Sequence, residues 1–197
     1  MKRSNQNKPS ASHCPSRRRF LALGAGALVT AGSLVYKPAF ANSVLQTPER
    51  SISMHNLHTG ESVNTVYWAD GAYIEESLSQ INHLMRDFRT DQVKTMHPQL
   101  LDLLHSITAR LDTSKPIQLI SGYRSPHTNA MLHARSNGVA KHSLHMDGMA
   151  SDIRIPGHDL RDLRKTALSL RSGGVGYYPK SNFVHVDVGR VRTWNGV

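Results

Sequence analysis

Two short apolar runs carry ionisable side chains where a buried strand would ordinarily hold only carbon. Ala150–Ile155 encloses Asp152, and Phe183–Val188 encloses His185 and Asp187. A chain can fold such runs into its interior only by pairing those groups, because an unpaired buried charge is costly. The strand pleat puts His185 and Asp187 on one face. His145, separated from Asp152 by six intervening residues, sits in a polar loop that contains Gly148. Each of these residues has a bland reading: Asp152 paired with Arg154 or capping a turn, and His185 as a core histidine bonded to a carboxylate. Eleven histidines follow residue 41, so one His-x6-Asp pair is weak by itself. Three ligand-type residues arriving on adjacent strand ends favour a metal. Two imidazoles and a carboxylate suit zinc with its fourth position open to water, which separates hydrolytic zinc from structural zinc.

The first 41 residues read as an address. Ser16-Arg17-Arg18-Arg19-Phe20-Leu21 carries a twin-arginine pattern, an apolar small-residue stretch runs on to about Tyr36, and Ala39-Phe40-Ala41 offers a small-x-small cleavage site. The stretch is short and Gly/Ala-rich for a membrane span, so a cleaved leader over 1–41 is expected, with membrane contact only before cleavage. Cleavage changes the charge argument. The chain carries a formal +10, but seven of its 24 basic residues and none of its 14 acidic ones precede Asn42. Seventeen basic against 14 acidic residues remain, a net of +3, which removes the case for nucleic acid. A mild positive charge suits an anionic cell-wall polymer. The single cysteine, Cys14, lies upstream of the arginines, so an exported product has no disulfide and depends on its core and a metal.

Residues 42–50 read as a flexible lead-in and 51–197 as one domain. Ser51–Leu57 and Ser62–Trp68 flank His58–Glu61 as a hairpin. Apolar residues at helical spacing mark helices from Ile74 to Phe88 and from Pro98 to Leu111. Ile117–Ile120 reads as a strand running into the Ser121–Pro126 turn, followed by a helix from Thr128 to Arg135 that ends near Gly138. Ala150–Ile155 alternates as a strand, Leu160 to Leu170 marks another helix, and Gly173–Tyr178 and Phe183–Val188 form a closing strand pair about Pro179–Asn182. The pattern predicts α+β with a mostly antiparallel sheet rather than a doubly wound one. Gly173, Gly174 and Gly176 lack the helix and lysine of a phosphate loop. No Gly-x-Ser-x-Gly or cysteine nucleophile follows residue 41.

Ser121-Gly-Tyr-Arg-Ser125, Ser143-Leu-His145 with Gly148-Met-Ala-Ser-Asp152, and Phe183-Val-His-Val-Asp187 together resemble the D-Ala-D-Ala metallopeptidase superfamily. That group includes lysostaphin-type peptidases and the hedgehog zinc domain. Gly173–Tyr178 and Gly189–Trp194 are similar to its murein endopeptidase K branch, and the similarity runs from Ser51 to Trp194. The resemblance implies the superfamily's fold, zinc held by His145, Asp152 and His185, and a substrate contact at Arg124. Arginine suits that role because its fork of donors stays charged. The activity implied is that of an exported, periplasmic zinc endopeptidase acting on peptidoglycan cross-links of the D-Ala–meso-diaminopimelate type, working as a monomer. A carboxypeptidase trimming D-amino acids and a non-catalytic zinc module that binds the wall are the alternatives.

One departure from the superfamily pattern concerns the proton-transfer group. Many relatives place a His two residues before the third ligand or a Glu three before it, and here those positions hold Phe183 and Asn182. Asp187 is the nearest substitute, as general base or as a partner orienting His185. His142 is a further candidate for transition-state hydrogen bonding. His127 and His133 read as surface or packing residues, and Tyr177 and Tyr178 as cleft wall or core.

Overall fold

The computed structural model describes residues 49–136 and 139–196. The leader, nearly all of the lead-in and Gly138 lie outside the described residues. Eight strands form one open mixed sheet in the order β3-β2-β1-β4-β5-β7-β6-β8. The strands are β1 (Arg50–Asn56), β2 (Ser62–Ala69), β3 (Ala72–Tyr73), β4 (Ile117–Ser121), β5 (Ala150–Arg154), β6 (Gly174–Tyr178), β7 (Phe183–Asp187) and β8 (Arg192–Asn195). The helices are α1 (Glu75–Leu84), α2 (Pro98–Arg110), α3 (Pro126–Arg135) and α4 (Leu160–Leu170). No helix among the described residues is long and apolar enough to cross a membrane.

The α+β architecture follows the sequence pattern. Two parallel pairings, β1 with β4 and β6 with β8, stand among five antiparallel ones. The first of them follows from connectivity: α1 and α2 lie between β1 and β4, and a crossover through helices returns a strand in the same direction. The first helix stops at Leu84, not Phe88. Met85 caps it and is fully buried, whereas Phe88 stacks on His58 with ring centroids 4.0 Å apart. Pro98 takes the first turn of α2 as expected, where its missing N–H costs nothing.

The core packs one face of the sheet against helices. Met54, Ile117, Leu119, Ile153, Val184 and Val186 meet Ile81, Leu100, Leu104, Ile107, Leu163 and Ala167. With Ile153, Val184 and Val186 turned to that side, pleating sends Asp152, His185 and Asp187 to the other. Strand register completes the placement, because Asp152 lies directly across from His185 in the β5–β7 ladder. A bulge in β4 takes up one residue, Ile120, between Leu119 paired with Ile153 and Ser121 paired with Asp152. It bends the strand end and carries the Ser121–Pro126 turn over the same face.

Candidate metal centre

Three buried atoms converge on this face. His145 Nε2 lies 3.2 Å from Asp152 Oδ1 and 3.2 Å from His185 Nδ1, and His185 Nδ1 lies 2.9 Å from Asp152 Oδ1. Four-coordinate zinc with bonds of about 2.0–2.1 Å needs ligand atoms roughly 3.3–3.4 Å apart, so this triangle is close to one face of such a tetrahedron. His145, Asp152 and His185 are the group of metal-ligating type found among the described residues.

Outer hydrogen bonds decide what the triangle can hold. His145 Nδ1 is 2.7 Å from the Gly122 carbonyl, which can only accept, so Nδ1 carries the proton and Nε2 turns a lone pair inward. His185 Nε2 is 3.0 Å from Asp187 Oδ2 and donates to it, leaving Nδ1 as its inward lone pair. Asp152 adds a carboxylate oxygen. Three acceptors therefore face one another with no proton to share, which a cation resolves. This donor set fits zinc.

Charge placement agrees. Burial would raise the Asp152 carboxyl, but His145 and His185 outweigh it and hold it far below the usual carboxylate range. Burial pushes His145 down, against the opposing pull of Asp152. Burial also opposes charge on His185, yet Asp152 and Asp187 overcome it and raise that imidazole. Without a metal, His185 is thus the ring that takes the proton a cation would displace.

Asp187 is fully buried, and five donors occupy its two oxygens. Oδ1 accepts from Gly174 N at 3.0 Å, Gly189 N at 2.9 Å and Arg192 Nη1 at 3.0 Å. Oδ2 accepts from His185 Nε2 and from Arg192 Nη2 at 2.7 Å. Burial would lift its pKa, but His185, Arg192 and the two backbone N–H groups drive it far below the ordinary value. The carboxylate lies behind His185, on the side away from the two other ligands.

A cleft of about 700 Å³ opens over the triangle, with Arg124, His142, Tyr178, Phe183, Arg192 and Trp194 on its walls. Arg124 is 11% exposed, with Nη2 3.6 Å from Asp152 Oδ2 and 3.4 Å from Ser121 Oγ. Its Nε is buried without a partner. Burial lowers its pKa against the pull of Asp152. His142 is exposed on the rim. Tyr178 belongs to the wall, stacked on Phe183 and accepting from Trp194 Nε1 at 2.9 Å, whereas Tyr177 packs against the core beneath Arg164. Gly176, opposite His185 on β6, leaves room for the Trp194 ring: a Cβ there would come 2.6 Å from it. Arg154 does not pair with Asp152. Its Nε donates to Gln118 at 2.6 Å. His127 is exposed on α3, and His133 Nδ1 donates to the Val139 carbonyl at 2.6 Å.

Sequence reasoning did not single out Arg192, Trp194, Asp87 or the Gly122 carbonyl. Arg192 and Trp194 had a signal only as part of the closing motif, and the other two act through partners distant in the chain.

Buried, proton-free ligand atoms at the base of an open cleft define the class: a candidate metal site of the open, hydrolytic kind rather than a closed structural one. Comparison with known proteins gives the family. Residues 45–194 match the family described as Peptidoglycan L,D-endopeptidase MepK, and the chain belongs to it. The peptidoglycan L,D-endopeptidase MepK of Escherichia coli strain K12 is 50% identical over 180 residues, covering 91% of this chain and 97% of that protein. The Shigella flexneri protein of the same name matches to the same extent. The probable peptidoglycan L,D-endopeptidase MepK of Haemophilus influenzae is 41% identical over 184 residues, covering 92% of this chain and 97% of that one. No solved structure matches.

Proposed function

We propose that this chain is an exported zinc endopeptidase that hydrolyses an L,D peptide bond in peptidoglycan cross-links. The observation that carries the reading is the inward-facing triangle of His145, Asp152 and His185 beneath an open cleft, in a chain of this family. When bound, zinc supplies Lewis acidity to the scissile carbonyl and makes water a usable nucleophile near neutral pH.

The protein's own groups do the rest. Gly122 and Asp187 lock the tautomers of His145 and His185, so both rings present lone pairs. Arg124 lines the cleft beside Asp152, where its guanidinium binds the carbonyl oxygen as negative charge develops. The Tyr178, Phe183 and Trp194 wall orients the peptide and excludes water behind it. Asp187 acts here as the partner orienting His185 rather than as the base, because its oxygens are filled by donors and its basicity is low. His142 is assigned proton transfer: it is an imidazole on the cleft rim, suited to moving a proton between water and the leaving amine. The twin-arginine segment is assigned to export.

The bond class is the one its relatives are named for and differs from the D-Ala–meso-diaminopimelate type expected from the resemblance. Digestion of purified muropeptide dimers of both kinds tests it. The metal-loaded protein should split dimers joined through an L-to-D bond into monomers, and chelation should abolish this. Loss of a single terminal residue indicates a carboxypeptidase. Wall binding with no turnover under any metal overturns the enzyme reading.

A further inference from the structure

We propose that Asp87 is a positioning residue for the reaction: its buried carboxylate holds the Ser121–Pro126 turn so that Arg124 and the carbonyl gripping His145 are aimed together. The proposal rests on the peptidase reading above.

Asp87 lies just beyond α1 and is 2% exposed. Its Oδ2 accepts from the backbone N–H of Ser125 at 2.9 Å, and its Oδ1 accepts from that of Arg89 at 3.0 Å. Burial would raise its pKa, but the Ser125 and Thr128 side chains and these N–H groups bring it down to about 2. It is therefore ionised at any working pH. No metal ligand touches it, and the mechanism above leaves it without a role.

What it grips explains the burial. Ser125 begins α3, where its hydroxyl accepts from Thr128 N. One residue earlier is Arg124, whose N–H donates to the His145 carbonyl at 3.2 Å. Tyr123 N donates to the Met85 carbonyl at 2.7 Å, and Gly122 offers its carbonyl to His145 Nδ1. The turn is thus held at Met85 and Asp87 on one side and fastened to His145 on the other. Contact at Gly122 is tight: a Cβ there would lie 2.5 Å from the Met85 oxygen. The Asp87 charge also acts on the Arg124 guanidinium, opposing the neighbouring Arg89. A turn fastened at both ends transmits a displacement at Asp87 to the arginine and to the ligand.

A double-substitution cycle tests this on the zinc-loaded protein, with kcat and KM read on a muropeptide dimer. D87N should lower kcat about tenfold or more with a smaller change in KM, and R124A should cost at least about fivefold less in the D87N background than alone. D87N within about twofold of the native kcat, or D87N and R124A effects that simply multiply, overturns the proposal. If D87N does not fold, T128V removes a hydroxyl from the carboxylate and keeps the charge, and the same coupling to R124A is required of it. A second readout needs no turnover. D87N should weaken zinc binding several-fold in competition with a chelator, because Gly122 and His145 lose their support. A native protein inert on every dimer ends the peptidase reading, and unchanged zinc affinity in D87N then ends the positioning role too.

Discussion

Two regions of the sheet each set a carboxylate among rings, with opposite outcomes. At the β3-β2-β1 end, Asp102 accepts from Arg50 at 2.7 Å, from the Tyr67 hydroxyl at 3.0 Å and from the Tyr73 hydroxyl at 2.7 Å. All three partners donate, so that network is complete in itself. At the β5-β7 ladder, Asp152 meets two ring nitrogens whose protons are drawn outward by Gly122 and Asp187. Acceptors face acceptors, and the group is complete only with a cation. Burial of charge does not distinguish structure from function. The direction in which the neighbouring protons point does.

Substituting groups of each region in parallel assays should pull the two regions apart. The largest effect belongs to H145A or D152A, which should lose bound zinc and more than about a thousandfold in kcat/KM while staying folded, checked by metal analysis and muropeptide digestion. Next is D187N, which keeps the shape but weakens the hold on His185. It should cost about 10–100-fold in zinc affinity by chelator competition. D102N should leave turnover near native and instead lower stability by about 1–3 kcal/mol in urea unfolding, since the amide keeps one acceptor oxygen and turns N–H groups toward the Tyr67 or the Tyr73 hydroxyl, both of which now donate. A D102N protein with poor turnover and intact stability would collapse the comparison.

The smallest effect is in acid. Asp87 titrates at about 2 in the folded chain against an ordinary 3.8, so its stabilisation is fully present above the unfolded value and is lost as pH falls toward 2. Stability should drop by about 1 kcal/mol more between pH 6 and pH 3 in the native chain than in D87N, by urea titration at each pH.

How much of this was legible in the sequence depended on the range of the interaction. Asp152 and His185 could be read because alternation in two short runs puts each on a chosen face, and the β5–β7 ladder then sets them opposite each other. Whether Asp187 was base or partner could not be read, because the answer lies in Gly174, Gly189 and Arg192 converging from three segments. Asp87 was invisible, since it falls on a polar position of a stretch whose spacing reads as helix and its partner Ser125 is 38 residues away. β3 has two residues and shows no period at all. β8 alternates, but its parallel pairing with β6 is a choice of neighbour that local pattern does not contain. The first helix was read too long because Met85 and Phe88 continue the apolar spacing, while the backbone had already turned to give its Met85 carbonyl to Tyr123.

The extra residue in β4 has a consequence for how such a chain can vary. Ile120 is the unpaired residue of the β4–β5 ladder, so removing it would keep Ser121 opposite Asp152 but take out the bend that leads the chain into the Ser121–Pro126 turn. The guanidinium and the Gly122 carbonyl would then lose their aim into the cleft. Many substitutions between Ile117 and Arg124 can be absorbed by repacking, but a deletion of one residue cannot. In this stretch spelling is negotiable and length is not.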